Sequence, residues 1–187
     1  MKDIIVRLAN KEDSIFAALI VAEMEASAII RGSGISKRSP LSIVNKMIEG
    51  KAIIAVTKNN IWVGFSYIEV WANGEFLSNS GLIVSPAYRG FGVARVIKKH
   101  IFELSGIMYP HAKIFSITTG LAIMKMNARL GFDTVTFNEI TKEKEFWDGC
   151  KSCVNYSILQ GKENKICLCT AMLYVPKKRV NTIKEIA

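Results

Sequence analysis

A chain of 187 residues, half of them hydrophobic and 22% charged, has the size and apolar content of one folded domain, which excludes a disordered polypeptide. Its formal charge of +9 at pH 7 favours anionic partners, without choosing among a phosphorylated cofactor, an acidic substrate, nucleic acid or a membrane face. No apolar run reaches the roughly 20 residues of a membrane helix and the charged start MKDIIVRLANKED lacks a secretory core, so the chain is read as cytoplasmic with no membrane partner.

In chain order, IIVRLA at 4–9 reads as a strand. Apolar residues at helical spacing from Ser14 to Ile30 predict a helix, with Asn10 or Asp13 as its cap. The glycine-bearing basic stretch 31–40 reads as a loop, and LSIVNKMIEG as a short helix closed at Gly50. KAIIAVT and IWVGFSYIEVW form a hairpin about Lys58, Asn59 and Asn60, and EFLSNSGLIVS is a further strand. A helix from Gly92 to Leu104 follows, then a strand at 113–119, a helix at 121–131, a strand at 133–137 and a last strand at 166–175. No linker or repeat divides the chain. Residues 1–187 are read as a single domain, with a cysteine-bearing insertion at 141–166 before the last strand, and with helices on both faces of a mixed sheet.

The stretch SPAYRGFGVARVI, residues 85–97, leads from a strand through a glycine turn straight into a helix. Such a junction gathers backbone N–H groups at the positive end of a helix, which suits a phosphate. Gly90 and Gly92 let an anion approach the backbone, Ala94 keeps the helix start slim and Arg89 adds charge. A Walker loop is excluded because no Gly-Lys-Ser/Thr ending is present, and a dinucleotide fold because GxGxxG is missing.

These residues resemble the acetyl-CoA signature of the general N-acetyltransferase (GNAT) superfamily. Leu82-Ile83-Val84-Ser85-Pro86 supplies the strand end, and Arg89-Gly90-Phe91-Gly92-Val93-Ala94 the turn. Leu130-Gly131-Phe132 matches a second family landmark, a helix end before a strand. The resemblance implies an α/β (α+β) GNAT fold with a mostly antiparallel sheet of about six to seven strands, and an acetyl-CoA cosubstrate held by Leu82, Ile83, Val84 and residues Arg89 through Arg95. A bulge or splay after the fourth strand would free backbone groups near Leu82, Ile83 and Val84, and the Ile83 N–H is the expected donor to the thioester carbonyl. Where many family members carry a tyrosine that protonates the leaving thiolate, this chain has Asn127. A water chain, Tyr109, Tyr156 or departure of the free thiolate remain as routes. Glu69, with Glu75 as the other carboxylate, is the candidate base, against an ordered water chain.

Arg31, Lys37 and Arg38 on the loop between the first helices would suit a carboxylate-bearing acceptor. Trp147, Asp148 and Tyr156 lie in the stretch that shapes the acceptor pocket in such proteins. Cys150 and Cys153, then Cys167 and Cys169, are read as candidate ligands of a structural zinc, against ordinary thiols, with the second pair facing one side of a strand. The expected activity is acetyl transfer to a primary amine, first of a small amino acid such as glutamate, as in arginine biosynthesis. The alternatives are a protein or peptide acceptor and a non-catalytic acyl-CoA-binding or zinc-stapled module. Few aromatics interleave with the basic residues, including the tail cluster Lys177, Lys178 and Arg179, so nucleic acid is set behind a small-molecule amine. A homodimer is a further open expectation.

Overall fold

The computed structural model describes residues 3–32 and 36–177. Residues 33–35 of the predicted loop, and Lys178 and Arg179 of the basic tail, lie outside the described residues.

Seven strands form one sheet in the order β1-β2-β3-β4-β5-β7-β6. They are β1 (Ile4–Leu8), β2 (Ala52–Thr57), β3 (Trp62–Trp71), β4 (Phe76–Val84), β5 (Lys113–Thr118), β6 (Asp133–Val135) and β7 (Thr170–Tyr174). Every neighbouring pair is antiparallel except β4 and β5. The long helices are α1 (Ala17–Ile30), α2 (Pro40–Ile48), α3 (Val93–Met108) and α4 (Leu121–Arg129), and the short α5 (Lys144–Asp148) and α6 (Tyr156–Gly161) lie between β6 and β7.

Residues from α1 and α2, Ile20, Met24, Ile43 and Met47, pack with Ile54, Phe65 and Tyr67 on one face of the sheet. On the other face α3 buries Val93, Ile97 and Ile101 against Val63, Ile68 and Leu77. Each of these fully buried aliphatic side chains contributes about 1.5–3 kcal/mol. Between β5, β7 and the two short helices a third cluster joins Phe76, Phe115, Phe137 and Leu159.

Local chemistry explains the boundaries. Asn10 opens the first helical stretch as expected, although a 3-10 turn over Lys11–Phe16 precedes α1. Ser39 caps α2 by accepting the Ser42 N–H at 3.1 Å, with Pro40 at the first helical position, where its missing N–H costs nothing. The Leu-Gly-Phe landmark closes α4: the Phe132 N–H reaches the Asn127 carbonyl at 3.1 Å and the Gly131 N–H that of Ala128 at 3.0 Å.

Three expectations are corrected. The third long helix runs a turn further, to Met108. The strand expected over 133–137 stops at Val135, because Thr136 and Glu139 pair to start a 3-10 turn at Phe137. The last strand begins at Thr170, opposite Thr118 at the end of β5, so Ile166 to Cys169 precede it.

Arg7 on β1 holds the buried Asp13 through two bonds of 2.7 and 2.8 Å, and Asp13 also accepts the Asn10 N–H at 2.9 Å. Burial opposes the charged carboxylate, but the Arg7 and Asn10 hydrogen bonds outweigh it and hold Asp13 below the usual carboxylate range. Its stabilisation is therefore complete above the unfolded value, about pH 4, and is lost as pH falls through the lower folded value. Asp13→Ala is expected to cost about 2–3 kcal/mol in urea unfolding at pH 7, with a gap to the natural protein that closes in acid.

Lys98 is the opposite case. Only 3% exposed on α3, its ammonium sits 5.3 Å from the Phe132 ring centre, and burial pushes the amine down to about 8. Below pH 8 folded and unfolded chains are both protonated, so the folded state bears the full burial penalty. From about pH 8 to 10 the folded amine loses its proton first and that penalty fades, so stability rises with pH. Lys98→Met is expected to stabilise the protein by about 1–3 kcal/mol at pH 7, the gain shrinking towards pH 10 in parallel urea titrations.

Candidate active site

The fold leaves one side of β4 unpaired. β4 pairs with β5 only over Phe76, Leu77 and Ser78, after which β5 continues beside β7 and the two parallel strands part. On its other side β4 gains a residue against β3: Phe65 faces Ile83 and Tyr67 faces Ser80, so Gly81 and Leu82 together oppose Ser66. Gly81 adopts φ +63°, and an added Cβ would lie 2.5 Å from the Tyr67 ring and 2.8 Å from Met24. A glycine is needed there for both reasons.

The phase of the ladder decides which amides face the opening. The Ile68 N–H donates to Lys51 on the β2 side and the Ser85 N–H to Val63 of β3. Odd residues of β3 therefore bond towards β4, and Ile83, opposite Phe65, turns its N–H into the ladder. This corrects the expectation for Ile83. Leu82 and Val84 face the opening, although the Val84 carbonyl accepts the Arg89 Nε–H at 3.0 Å. The Leu82 N–H is therefore turned to the opening.

At one end the opening reaches the glycine turn. Gly90 and Gly92 have φ of +82° and +80°, and a Cβ on either would meet nothing within 4 Å. α3 starts at Val93, and the N–H groups of Arg95 and Val96 are the first to find a carbonyl, both on Gly92. Among the described residues the N–H groups of Gly90 to Ala94 have no backbone acceptor, which fits a phosphate at the helix end. Val93 buries its side chain and offers only its backbone, whereas Arg95 is exposed on the first turn. Phe91 is 61% exposed over a separate hollow lined by Asp3, Thr57, Ile61 and Tyr88. Arg89 does not extend over the turn. Its Nη2 is held by Glu23 at 2.7 Å and Ser27 at 2.6 Å on α1, so it braces the turn against that helix.

The opening and a wider cleft at its other end form one hollow of about 1350 Å³, lined from Val84, Arg89 and Ala94 to Arg31, Lys37, Arg38, Tyr67, Glu69, Trp147 and Tyr156. Glu69 projects from β3 and pairs with Lys46 of α2 at 2.5 Å. Ser78 and Ser80 lie beside it on β4, their hydroxyls 3.0 Å apart, and the Trp71 indole donates to Ser78 at 2.9 Å. Arg38 donates through Nε to the Tyr67 oxygen and through Nη1 to the Ser36 carbonyl at 2.6 Å, and its guanidinium lies 5.7 Å from the Tyr67 ring centre. Ser36 in turn donates to Gly149 at 2.7 Å, which ties the loop to the stretch between β6 and β7. Burial raises the Tyr67 hydroxyl above its ordinary value despite the nearby Arg38 charge, so it is protonated at neutral pH.

Several expected residues fall elsewhere. Asn127 is fully buried on the inner side of α4, its amide 3.7 Å from the Met172 sulfur, and does not line the cleft. Tyr109 follows the far end of α3, and Glu75 pairs with Lys113 at 3.2 Å outside the cleft. Asp148 is held by Lys144 and Lys151 on the surface. The four thiols line the cleft, but Cys167 and Cys169 are not on a strand. Among the described residues no set of three or more His, Cys, Asp or Glu side chains is placed to hold a metal ion, which corrects the zinc expectation. Burial and the neighbouring thiols push Cys150 up to about 11 and Cys169 to about 12, so both stay protonated. Sequence reasoning missed Tyr67, Lys46, Ser78 and Ser80. The polar run Ser78-Asn79-Ser80 inside an apolar strand was the available signal.

No protein-family model and no curated protein matches the chain in sequence. Solved structures do match in fold. Rv2747 from Mycobacterium tuberculosis, in complex with CoA and NLQ, aligns at TM-score 0.62 and 18% identity over 91% of this chain and 98% of that one. N-acetylglutamate synthase from Neisseria gonorrhoeae, complexed with coenzyme A and N-acetyl-glutamate, aligns at 0.64 and 16% over 94% of this chain, which spans 35% of that longer protein. A GNAT-superfamily phosphinothricin acetyltransferase from Sinorhizobium meliloti, in complex with AcCoA, aligns at 0.60 and 12% over 96% of both chains. The chain has the GNAT acetyltransferase fold.

Proposed function

We propose that the protein is an N-acetyltransferase that moves an acetyl group from acetyl-CoA directly to the primary amine of a small amino acid bearing a carboxylate, glutamate or a relative, as in arginine biosynthesis. The observation that carries this reading is the opening between β4 and β5, which joins an anion-ready helix end to a cleft rimmed by Arg31, Lys37 and Arg38. The structural neighbours solved with CoA or acetyl-CoA, one of them also with N-acetyl-glutamate, support it.

The residues divide the work. The turn at Gly90 to Ala94 receives the cosubstrate's phosphates, and the open edge of β4 aligns its thioester with the Leu82 N–H. Amine attack shifts charge onto the carbonyl oxygen, where a fixed amide is worth about 2.7–4 kcal/mol. Glu69, the carboxylate of β3 on the cleft floor, takes the ammonium proton directly or through water. The carbon–sulfur bond then breaks, its electron pair leaves on sulfur, and Tyr156, which lines the cleft, returns a proton. Holding both substrates in one cleft removes much of the entropic barrier.

The test is product identification by mass spectrometry after incubating the protein with acetyl-CoA and a panel of dicarboxylic, neutral and basic amino acids, polyamines and short peptides. Acetylation confined to carboxylate-rich amino acids is expected. Acetylated peptides alone would move the acceptor to protein termini, and acetyl-CoA binding with no acetylated product would favour a binding module.

A further inference from the structure

Two thiols stand one turn apart where the cationic loop meets the stretch between β6 and β7. Cys150 and Cys153 are free and half-buried, and both line the hollow. The Cys153 N–H donates to the Cys150 carbonyl at 2.9 Å, ending the 3-10 turn at Gly149–Ser152. With about 2.0 Å of rise per residue and three residues per turn, residues so spaced stack about 6 Å apart, within the span of a disulfide. Their surroundings differ. Cys150 packs against the third hydrophobic cluster, whereas Cys153 is not part of it and its sulfur accepts the Asn155 N–H at 3.4 Å, just before α6. The same turn holds the cationic loop: the Gly149 carbonyl accepts the Ser36 hydroxyl at 2.7 Å, the Ser152 hydroxyl accepts the Lys37 N–H at 3.3 Å, and the Ser36 carbonyl anchors Arg38.

We propose that Cys150 and Cys153 are a reversible modification site, a dithiol that closes to a disulfide and so loosens the loop bearing Arg38. The oxidant is a small disulfide. The Cys153 sulfur, as its thiolate, displaces one thiolate from that molecule and forms a mixed disulfide. Cys150, which burial keeps protonated, gives up its proton as its sulfur attacks Cys153 and expels the second thiolate. Two protein thiols are oxidised and the small disulfide is reduced to two thiols. Joining the sulfurs at about 2.05 Å draws Cys153 off the Asn155 N–H and twists the turn to which Ser36 and Lys37 are hooked. The effect on acceptor binding rests on the transferase reading; the disulfide and the loosened loop do not.

The test is incubation of the full chain with about 5 mM oxidised glutathione, followed by tryptic mass spectrometry and hydrogen exchange. Cleavage after Lys151 leaves the two thiols on separate peptides, so the bond is read as a joined pair. That pair is expected, reversed by dithiothreitol, with exchange over residues 36–38 about tenfold faster in the oxidised protein and unaffected by oxidant in Cys153→Ser. Where acetyl transfer is measured, the acceptor KM is expected to rise about tenfold on oxidation. Thiols that stay free or stop as glutathione adducts, a bond to Cys167 or Cys169 instead, or an oxidised protein whose loop exchange is unchanged would each overturn the inference.

Discussion

Gly81→Val is expected to lower acetyl transfer at least about 100-fold and to cost about 2–4 kcal/mol of stability. Two effects add. At φ +63° a side chain carries the left-handed penalty of about 1–2 kcal/mol, and its Cβ would enter the Tyr67 ring and Met24 at 2.5 and 2.8 Å. Relief requires the bulge to flatten, and a flattened bulge shifts Leu82 by one place in the ladder, turning its amide from the opening towards β3. Activity should therefore fall further than stability explains, which thermal melts beside steady-state kinetics would separate. Gly92→Ala is the contrast, since an added Cβ meets nothing within 4 Å and only the backbone conformation is penalised. A Gly81→Val protein with full activity would show that the bulge does not set the site.

Arg38→Met is expected to raise the acceptor KM about 100-fold while leaving the acetyl-CoA KM and the melting temperature near their natural values. Among the described residues, Arg38 is the loop cation whose side chain is fixed in place, through Tyr67 and the Ser36 carbonyl. Its Nη2 has no partner among the described residues, and neither does the proton of the Tyr67 hydroxyl, whose oxygen is already taken by Arg38. Two adjacent unspent donors suit one carboxylate. Methionine keeps the length of the side chain and removes both its charge and its donors, so an unchanged acceptor KM would place the carboxylate elsewhere.

Much of this arrangement was legible before any coordinates. The glycine turn and the Leu-Gly-Phe helix end are local chemistry, requiring positive φ and free amides within a few residues, and both stand where the sequence puts them. The strands β1 to β5 announce themselves by alternation or by continuous apolar runs. What the sequence hid is long-range. Whether Ile83 or Leu82 faces the opening depends on one extra residue in β4, and only Gly81 hints at it. The Lys46–Glu69 pair joins residues far apart in the chain. Ile166 to Cys169 alternates like a strand, yet the partner strand β5 ends opposite Thr170, so nothing remains for those residues to pair with. Asn127 sits where many relatives carry a tyrosine, but its buried amide faces β7 and not the cleft.

The most direct measurement is thiol release from acetyl-CoA as glutamate is raised, for the natural protein and for Leu82→Pro, which lacks the one amide assigned to the thioester oxygen. The account predicts saturable, glutamate-dependent release, with kcat reduced about 100-fold in the variant while acetyl-CoA still binds. Release independent of any amine, or a Leu82→Pro protein as fast as the natural one, would contradict it.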